Sequence, residues 1–453
     1  MENLDLSLYN RIHFIGIGGV SMSALATYCI DVGKTVSGSD RCRSGLTQAL
    51  SARGAVVKYG HCAKYADGAD LVVYSSAVQD DNPELAAARK HGVPAVKRSV
   101  LLGCIVSGYR KSVAVAGSHG KTTVTAMITD IMVRAGKDPT AFIGGEFPPY
   151  GNYRRGESEY VVAEACEYKK NFLDIKPYTA VVLNIDDDHR DSFKGLDDET
   201  RAFSDFMKNS LAVVNADDPC ARKLFNSATV CFGIDNSATY TAKRIKGENG
   251  YYSFDFYAYS AKRGRVNLKI KGRHNVYNAL AALSVAEISG VPFSVSRGVL
   301  ENFYGVKRRN EFIGEFNGLS CYADYAHHPT EIAALLDSYK GEEITVVFQP
   351  HTYSRTEYLI EEFLTELVKP DRTVVYKTYP AREKYSEKGS AKRLFDELKN
   401  RAGDGAAAEY ADSPEKLNEI LLSFVEKGAK GKILFVGAGD IYDVALALCK
   451  RRG

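Results

Sequence analysis

The chain has no apolar run approaching the ~20 residues that a bilayer-crossing helix needs, so no membrane span is expected. Its first ten residues are acidic where a secretory leader is basic, and no apolar core follows them, so no export signal is expected. No two of the nine cysteines stand in a CxxC spacing. Their odd number and scatter argue against a disulfide framework or zinc site and for reduced thiols in the cytoplasm. No long basic run occurs, and 59 basic residues against 56 acidic ones leave a formal charge of only +3, so no nucleic-acid partner is indicated. Internal repeats and low-complexity tracts are absent as well. What remains is ordinary globular usage, 45% apolar and 25% charged over 453 residues, enough chain for two or three domains.

The apolar pattern alternates between short runs and helical periods throughout. Strands are expected at residues 11–15, 34–36, 56–59, 71–74 and 94–96, with helices at 22–30, 47–53 and 83–91. Short apolar runs separated by helices indicate a doubly wound parallel sheet. A boundary near 107–111 follows, because a strand at 112–116 restarts the cycle. The next helix, 122–134, carries Val124, Met127, Ile128, Ile131 and Met132 on one face and stops at Gly136. Further strands are expected at 160–163 and 180–185, and a helix at 276–289 closed by Gly290. A third cycle begins near 313, with strands at 345–348, 373–376 and 433–436 and helices at 331–338 and 357–367. The expected fold class is α/β with three domains, residues 1–108, 109–312 and 313–453.

The sharpest local signal is a strand followed by Gly117-Ser118-His119-Gly120-Lys121-Thr122-Thr123 and an amphipathic helix. The amides of such a loop, with the positive end of the helix behind it, bind phosphate. Lys121 is expected to reach the β- and γ-phosphates of ATP, and the Thr122 hydroxyl to ligate Mg²⁺. Val115 stands where the strict pattern has its first glycine, so the match is approximate. Further oxygen ligands are expected at two strand ends, Glu164 and the cluster at 186–189 that ends in His189. In a parallel sheet those ends lie on the side of the phosphate loop.

A second glycine loop, Gly16-Ile17-Gly18-Gly19-Val20-Ser21, follows the first strand and opens a helix. It approximates the dinucleotide pattern, with Ser21 at the third glycine and Asp40 near the place of a ribose-binding acid. Alone it would suit a nicotinamide-dependent oxidoreductase. Beside a phosphate loop it reads better as a site for a diphosphate-bearing substrate, met by the amides of Gly16, Gly18 and Gly19, with Ser75 and Ser76 lining the same crevice.

With these parts in place the chain resembles the Mur ligase family of peptidoglycan synthesis, over essentially its whole length. The two glycine loops resemble the family's UDP- and ATP-binding loops. Glu164-Ala165-Cys166-Glu167-Tyr168 and the segment from Asn184 to His189 resemble its metal-binding segments. The motif from Gly272 through His274 and Asn275 to Asn278 resembles its adenine side, and Arg308-Arg309 the arginine pair that ends its central domain. Asp324-Tyr325-Ala326-His327-His328-Pro329, the segment from Phe348 through His351 to Arg355, and Gly437-Ala438-Gly439-Asp440 look like the alanine-adding branch. The likeness departs at Ser21 and Ser118, where glycine and threonine are commoner, at Cys166, within a usually more acidic segment, and at Thr352, where many relatives carry a second arginine.

The resemblance implies a Rossmann-like N-terminal domain, a P-loop-type central ATPase domain with a mostly parallel sheet, and a Rossmann-like C-terminal domain. It implies ATP- and Mg²⁺-dependent joining of L-alanine to the lactyl carboxylate of UDP-N-acetylmuramate through an acyl phosphate, by a cytoplasmic monomer or homodimer. Tyr325, His327, His351 and Arg355 would bound the amino-acid pocket, with Arg355 on the carboxylate and His327 as base. His119, Thr123, His274, Asn275, Asn278 and Arg309 would serve ATP. Independently of the resemblance, Asn275 and Asn278 stand three apart near a helix start, so both amides can face one ligand. Two other readings stand beside the alanine ligase: a family member that adds a preformed tripeptide, and a nucleotide-switched binding protein without catalysis.

Overall fold

The computed structural model describes residues 4–186, 192–226, 229–402 and 407–449. Strands β1 (Arg11–Ile15), β2 (Thr35–Asp40), β3 (Val56–Tyr59), β4 (Leu71–Tyr74) and β5 (Ala95–Lys97) form an all-parallel sheet in the order β3-β2-β1-β4-β5. Helices α1 (Val20–Asp31), α2 (Gly45–Ala52) and α3 (Pro83–Lys90) carry the chain between them. The central strand β1 is buried from Ile12 to Ile15, as a parallel strand covered on both faces must be. The strand order reverses between β1 and β4, which opens a crevice at their C-terminal ends. Helix α4 (Arg98–Ser107) follows β5 with no turn residue to announce it, and the sequence pattern missed it. Its Gly103 lies against another part of the chain, where a Cβ would overlap the Asp174 carbonyl oxygen.

The second sheet has ten strands: β6 (Lys111–Ala116), β7 (Thr140–Phe147), β8 (Gly151–Arg154), β9 (Tyr160–Glu164), β10 (Thr179–Val182), β11 (Leu211–Asn215), β12 (Val230–Gly233), β13 (Tyr240–Glu248), β14 (Tyr251–Ala258) and β15 (Ala261–Lys271). Their order is β15-β14-β13-β12-β11-β10-β6-β9-β7-β8. Helix α5 (Lys121–Arg134) follows β6, and α6 (Leu196–Met207) follows β10. Helices α7 (His274–Ile288) and α8 (Phe293–Leu300) follow β15. The strand expected over 180–185 stops at Val182. Beyond it the Leu183 amide donates to Ala116 O at 3.0 Å and the Asn184 carbonyl accepts from Ser118 N at 3.2 Å, so the backbone turns toward the phosphate loop.

The third sheet comprises β16 (Glu311–Phe316), β17 (Leu319–Asp324), β18 (Ile344–Phe348), β19 (Arg372–Tyr376), β20 (Ala407–Ala411) and β21 (Lys432–Val436), ordered β16-β17-β21-β18-β19-β20. Only the β16–β17 pair is antiparallel. Helices α9 (Pro329–Asp337), α10 (Tyr353–Tyr358), α11 (Ile360–Leu367), α12 (Ala391–Ala402), α13 (Pro414–Glu426) and α14 (Ile441–Leu448) complete it. Ile433 and Phe435 enter one core cluster while Leu434 and Val436 enter another, the period of two of a strand buried on both faces. The helix expected over 357–367 is two helices, broken at Leu359, whose φ is −105° and ψ 23°.

The chain divides into two compact units. One comprises Met1–Ile245, Phe254–Asn267 and Tyr277–Phe303; the other comprises Lys246–Ser253, Leu268–Val276 and Tyr304–Gly453. The first therefore holds the five-stranded sheet and most of the ten-stranded one. The second holds the six-stranded sheet and the tips of β13, β14 and β15. Among the described residues no helix is long and apolar enough to cross a membrane.

Candidate active site

The loop between β6 and α5 turns on two left-handed glycines, Gly117 at φ 143° and Gly120 at φ 86°, the latter capping α5. Asn184 clamps it from the next strand: His119 N donates to Asn184 Oδ1 at 2.7 Å and Asn184 Nδ2 donates to His119 O at 3.0 Å. The Ser118 hydroxyl accepts from Asp186 N at 2.8 Å, which ties the loop to this end of the neighbouring strand. His119 Nε2 lies 3.1 Å from Asp186 Oδ2. Asn278 sits on the same loop, where a Cβ on Gly120 would fall 2.6 Å from its Oδ1.

Lys121, its side chain 12% exposed, stands at the head of α5. Its Nζ donates to Gly117 O at 2.5 Å, Ser118 O at 2.9 Å and Glu167 Oε1 at 3.0 Å. Burial alone would lower its proton affinity; the carboxylates of Glu167 and then Glu164 outweigh that, and the ammonium is held above the ordinary lysine value. Thr122 Oγ1 donates to Glu164 Oε2 at 2.8 Å, and Gly144 N donates to the same oxygen at 3.0 Å. A side chain at 144 would overlap that carboxylate. A hydroxyl and a carboxylate brought together at the end of a phosphate-type loop are hard oxygen donors, the set that suits Mg²⁺. Thr123 is buried one residue further along α5. His189, with the neighbouring acids at 187 and 188, lies outside the described residues.

At the first glycine loop the amides have partners within the chain. The amides of Gly16, Gly18 and Gly19 are already used: Gly16 N donates to Ser39 O at 2.8 Å, Gly18 N to Asp40 Oδ2 at 2.8 Å, and Gly19 N to Gly16 O at 3.2 Å. Asp40 braces the loop, and Gly18 is needed because a Cβ there would fall 2.9 Å from that carboxylate. The donors that helix geometry leaves over are the first amides of α1, from Val20 and Ser21 onward. Ser21 Oγ accepts from Arg98 Nη1 at 2.9 Å, a contact glycine at this position would lack. Ser75 faces Gly16, while Ser76 pairs with Asn171, its Oγ 3.2 Å from Asn171 Oδ1. Val20, Ser21 and Arg98 share a cavity of about 170 Å³ with Gly144, Glu164 and Cys166. One cavity thus joins the start of α1 to the Thr122–Glu164 pair.

In the second unit, Asn275 Nδ2 turns back to Lys271 O at 2.6 Å and lies 3.1 Å from His274 Nε2, closing the start of α7. Tyr325, His327, His351 and Tyr379 form a row of rings with centroids 5.4, 5.6 and 5.6 Å apart. His327 Nδ1 lies 2.9 Å from Tyr325 O, so Nδ1 carries the proton and Nε2 is the basic nitrogen. Arg308 and Arg309 stack on Tyr325 at 4.7 and 5.2 Å, and Arg309 also pairs with Glu331 at 3.9 Å. Arg355 lies four residues after His351, half-buried on α10. Thr352 between them is held at φ 65°, a conformation β-branched residues rarely adopt.

Residues that sequence reasoning left without a role are prominent here. Glu167 holds Lys121, Arg98 supplies a cation to the cavity, and Asp324 receives Asn310 N and Ala326 N at 2.7 Å each. Burial pushes the Asp324 carboxyl up to about 6, against the pull of Arg309. Glu167 and Asp324 stood inside quoted motifs, and their acidity was the available signal.

A strand–glycine loop–helix with a largely buried lysine, set in an α/β sheet beside a hydroxyl–carboxylate pair, defines a nucleotide-phosphate-binding protein of the P-loop type. The chain belongs to the Mur ligase family, and family membership carries ATP use with it. The profile described as Mur ligase family, catalytic domain matches residues 11–110, the Mur ligase middle domain matches 115–286, and the Mur ligase, glutamate ligase domain matches 308–439. The chain is 41% identical to the UDP-N-acetylmuramate–L-alanine ligase of Caldanaerobacter subterraneus subsp. tengcongensis, over 97% of both chains. It is 39% identical to the protein of the same name from Acetivibrio thermocellus, over 97% of this chain and 96% of that one. Among solved structures it is similar to the UDP-N-acetylmuramate-alanine ligase of Thermotoga maritima, with 30% identity, a TM-score of 0.81 and coverage of 97% and 98%. A murein peptide ligase from Psychrobacter arcticus, 24% identical with a TM-score of 0.73 over 97% and 98% of the two chains, shares the fold.

Proposed function

We propose that the chain joins L-alanine to the lactyl carboxylate of UDP-N-acetylmuramate with ATP, a cytoplasmic step of peptidoglycan precursor synthesis. The observation that carries this reading is the largely buried Lys121, set by Glu167 and two loop carbonyls beside the Thr122–Glu164 pair. The relatives named for this reaction, matched over nearly their whole length, support it. Residues 1–108 would bind the UDP-substrate, 109–312 ATP and 313–453 alanine.

A carboxylate at neutral pH is a poor acyl donor. In the proposed reaction one lactyl oxygen attacks the γ-phosphorus and ADP leaves; the alanine nitrogen then attacks the acyl carbon, and phosphate leaves with the bonding electrons. Catalysis is mostly alignment and charge neutralisation. Lys121 neutralises charge on the transferred phosphoryl group, with Arg309 as a second cation. Mg²⁺ would be held by Thr122 and Glu164, with His189 as a further ligand, and supplies charge neutralisation at the phosphates when bound. The amides of Val20 and Ser21, with Arg98, meet the diphosphate of the UDP-substrate, a role shifted from the amides of Gly16, Gly18 and Gly19. His274, Asn275 and Asn278 serve the nucleoside side of ATP. Arg355 takes the alanine carboxylate, and His327 Nε2 accepts the proton lost by the amine.

The test is phosphate release with UDP-N-acetylmuramate, ATP and Mg²⁺, adding each of the twenty amino acids or an alanine-headed tripeptide. Release dependent on alanine is the expected result. Release that ignores alanine, or that favours the tripeptide, overturns the proposal.

A further inference from the structure

A buried tyrosine outside every motif discussed so far, Tyr339, joins parts of the chain that are distant in sequence. Its side chain is 1% exposed. Lys271 Nζ, at the end of β15, lies over its ring at 4.3 Å while pairing with Glu342, and Lys432 Nζ lies over it at 5.5 Å. Tyr322 packs against it edge-on at 5.8 Å. The phenol donates to Asn310 Oδ1. Burial raises the phenol's proton affinity, so it remains a neutral donor at physiological pH.

Asn310 ends the loop that leads into β16, and it is held left-handed at φ 51°. Asparagine tolerates that conformation better than other side-chain-bearing residues, and here it also supplies the acceptor for Tyr339. From Asn310 the contacts continue into the loop after β17. Asn310 N donates to Asp324 Oδ2 at 2.7 Å, Asp324 Oδ1 accepts from Ala326 N at 2.7 Å, and Tyr325 N donates to Arg308 O at 2.7 Å. The Arg308–Asn310 segment and the Asp324–His327 loop are thereby laced together, and they carry Arg309, Tyr325 and His327. The chain of contacts runs from Lys271 through Tyr339, Asn310 and Asp324 to the candidate base.

We infer that Tyr339 and Asn310 are positioning residues: their hydrogen bond fixes the loop that carries Arg309 and holds it in register with the loop that carries His327. The inference rests on the functional reading above. A packing tyrosine would need only its ring; the hydroxyl aimed at a left-handed asparagine is what makes the pair a clamp on the backbone.

Tyr339→Phe keeps the ring beneath Lys271 and removes the bond, and Asn310→Gly keeps the left-handed backbone without strain. Each variant is expected to lower kcat about tenfold, the size of one lost buried hydrogen bond, with KM for ATP within about twofold of the parent. Because both remove the same bond, the double variant is expected to lose no more than either single one. A role in packing alone would lower the melting temperature and leave kcat per folded molecule unchanged. Trypsin cleavage at Lys307, Arg308 and Arg309 gives a second readout that needs no activity, and it is expected to quicken in both single variants as the loop opens more often. A Tyr339→Phe variant with parental kcat, losses that multiply in the double variant, or cleavage as slow as in the parent would each overturn the inference. Absence of alanine-dependent phosphate release in the parent would instead strike the proposed function, with proteolysis still judging the clamp.

Discussion

Glu167 is buried and Lys121 largely so, and the lysine Nζ lies 3.0 Å from the carboxylate. Removing the lysine alone takes a cation away from this buried carboxylate, which costs about 3–5 kcal/mol of stability. Lys121→Met should therefore lower the unfolding free energy by that amount and activity by about a thousandfold. Adding Glu167→Gln should restore much of the stability and none of the activity; a double variant as unstable as Lys121→Met would refute the pairing, and chemical denaturation with an activity assay measures both. Asp324 gives a pH-dependent counterpart. Its carboxyl is raised from 3.8 to about 6, so the folded state binds its proton more tightly than the unfolded chain and stability from this group falls as pH rises across that window. Asp324→Asn should thus gain stability relative to the parent between pH 4 and pH 7, read as the difference in melting temperature. A difference that stays constant with pH would show that Asp324 does not titrate there. Lys121 and Thr122 were legible in the sequence because a phosphate loop is local. Glu167 and Asp324 were not, because their partners lie 46 and 14 residues away and only folding brings them together.

Among elements, parallel strands such as β1, β4 and β18 were legible because burial on both faces writes them as short apolar runs. Strands with one face open to solvent were not. β15 alternates buried Val266 and Leu268 with exposed neighbours and begins with three exposed residues, so it reads as a charged loop. Helix α4, which contains Gly103, was missed because it follows β5 directly. The structure gives that glycine a packing reason, since the Asp174 carbonyl occupies the place of a Cβ. Gly103→Ala should cost about 1–3 kcal/mol by overpacking, measured by urea unfolding. A cost below about 0.5 kcal/mol, the range of neutral surface changes, would mean the contact yields easily.

For the whole molecule, three α/β sheets and a phosphate loop were readable from pattern, and the family from motifs spread along the chain. The position of the amides at the first glycine loop was not readable, because a GxGxx pattern does not say that Asp40 and Ser39 already take them. The central claim is that a phosphoryl group held at Lys121 passes to the substrate's own carboxylate before alanine displaces it. UDP-N-acetylmuramate labelled with ¹⁸O in the lactyl carboxylate tests this directly when turned over with unlabelled ATP and alanine. The released phosphate should carry one labelled oxygen per turnover; phosphate free of label would contradict the account.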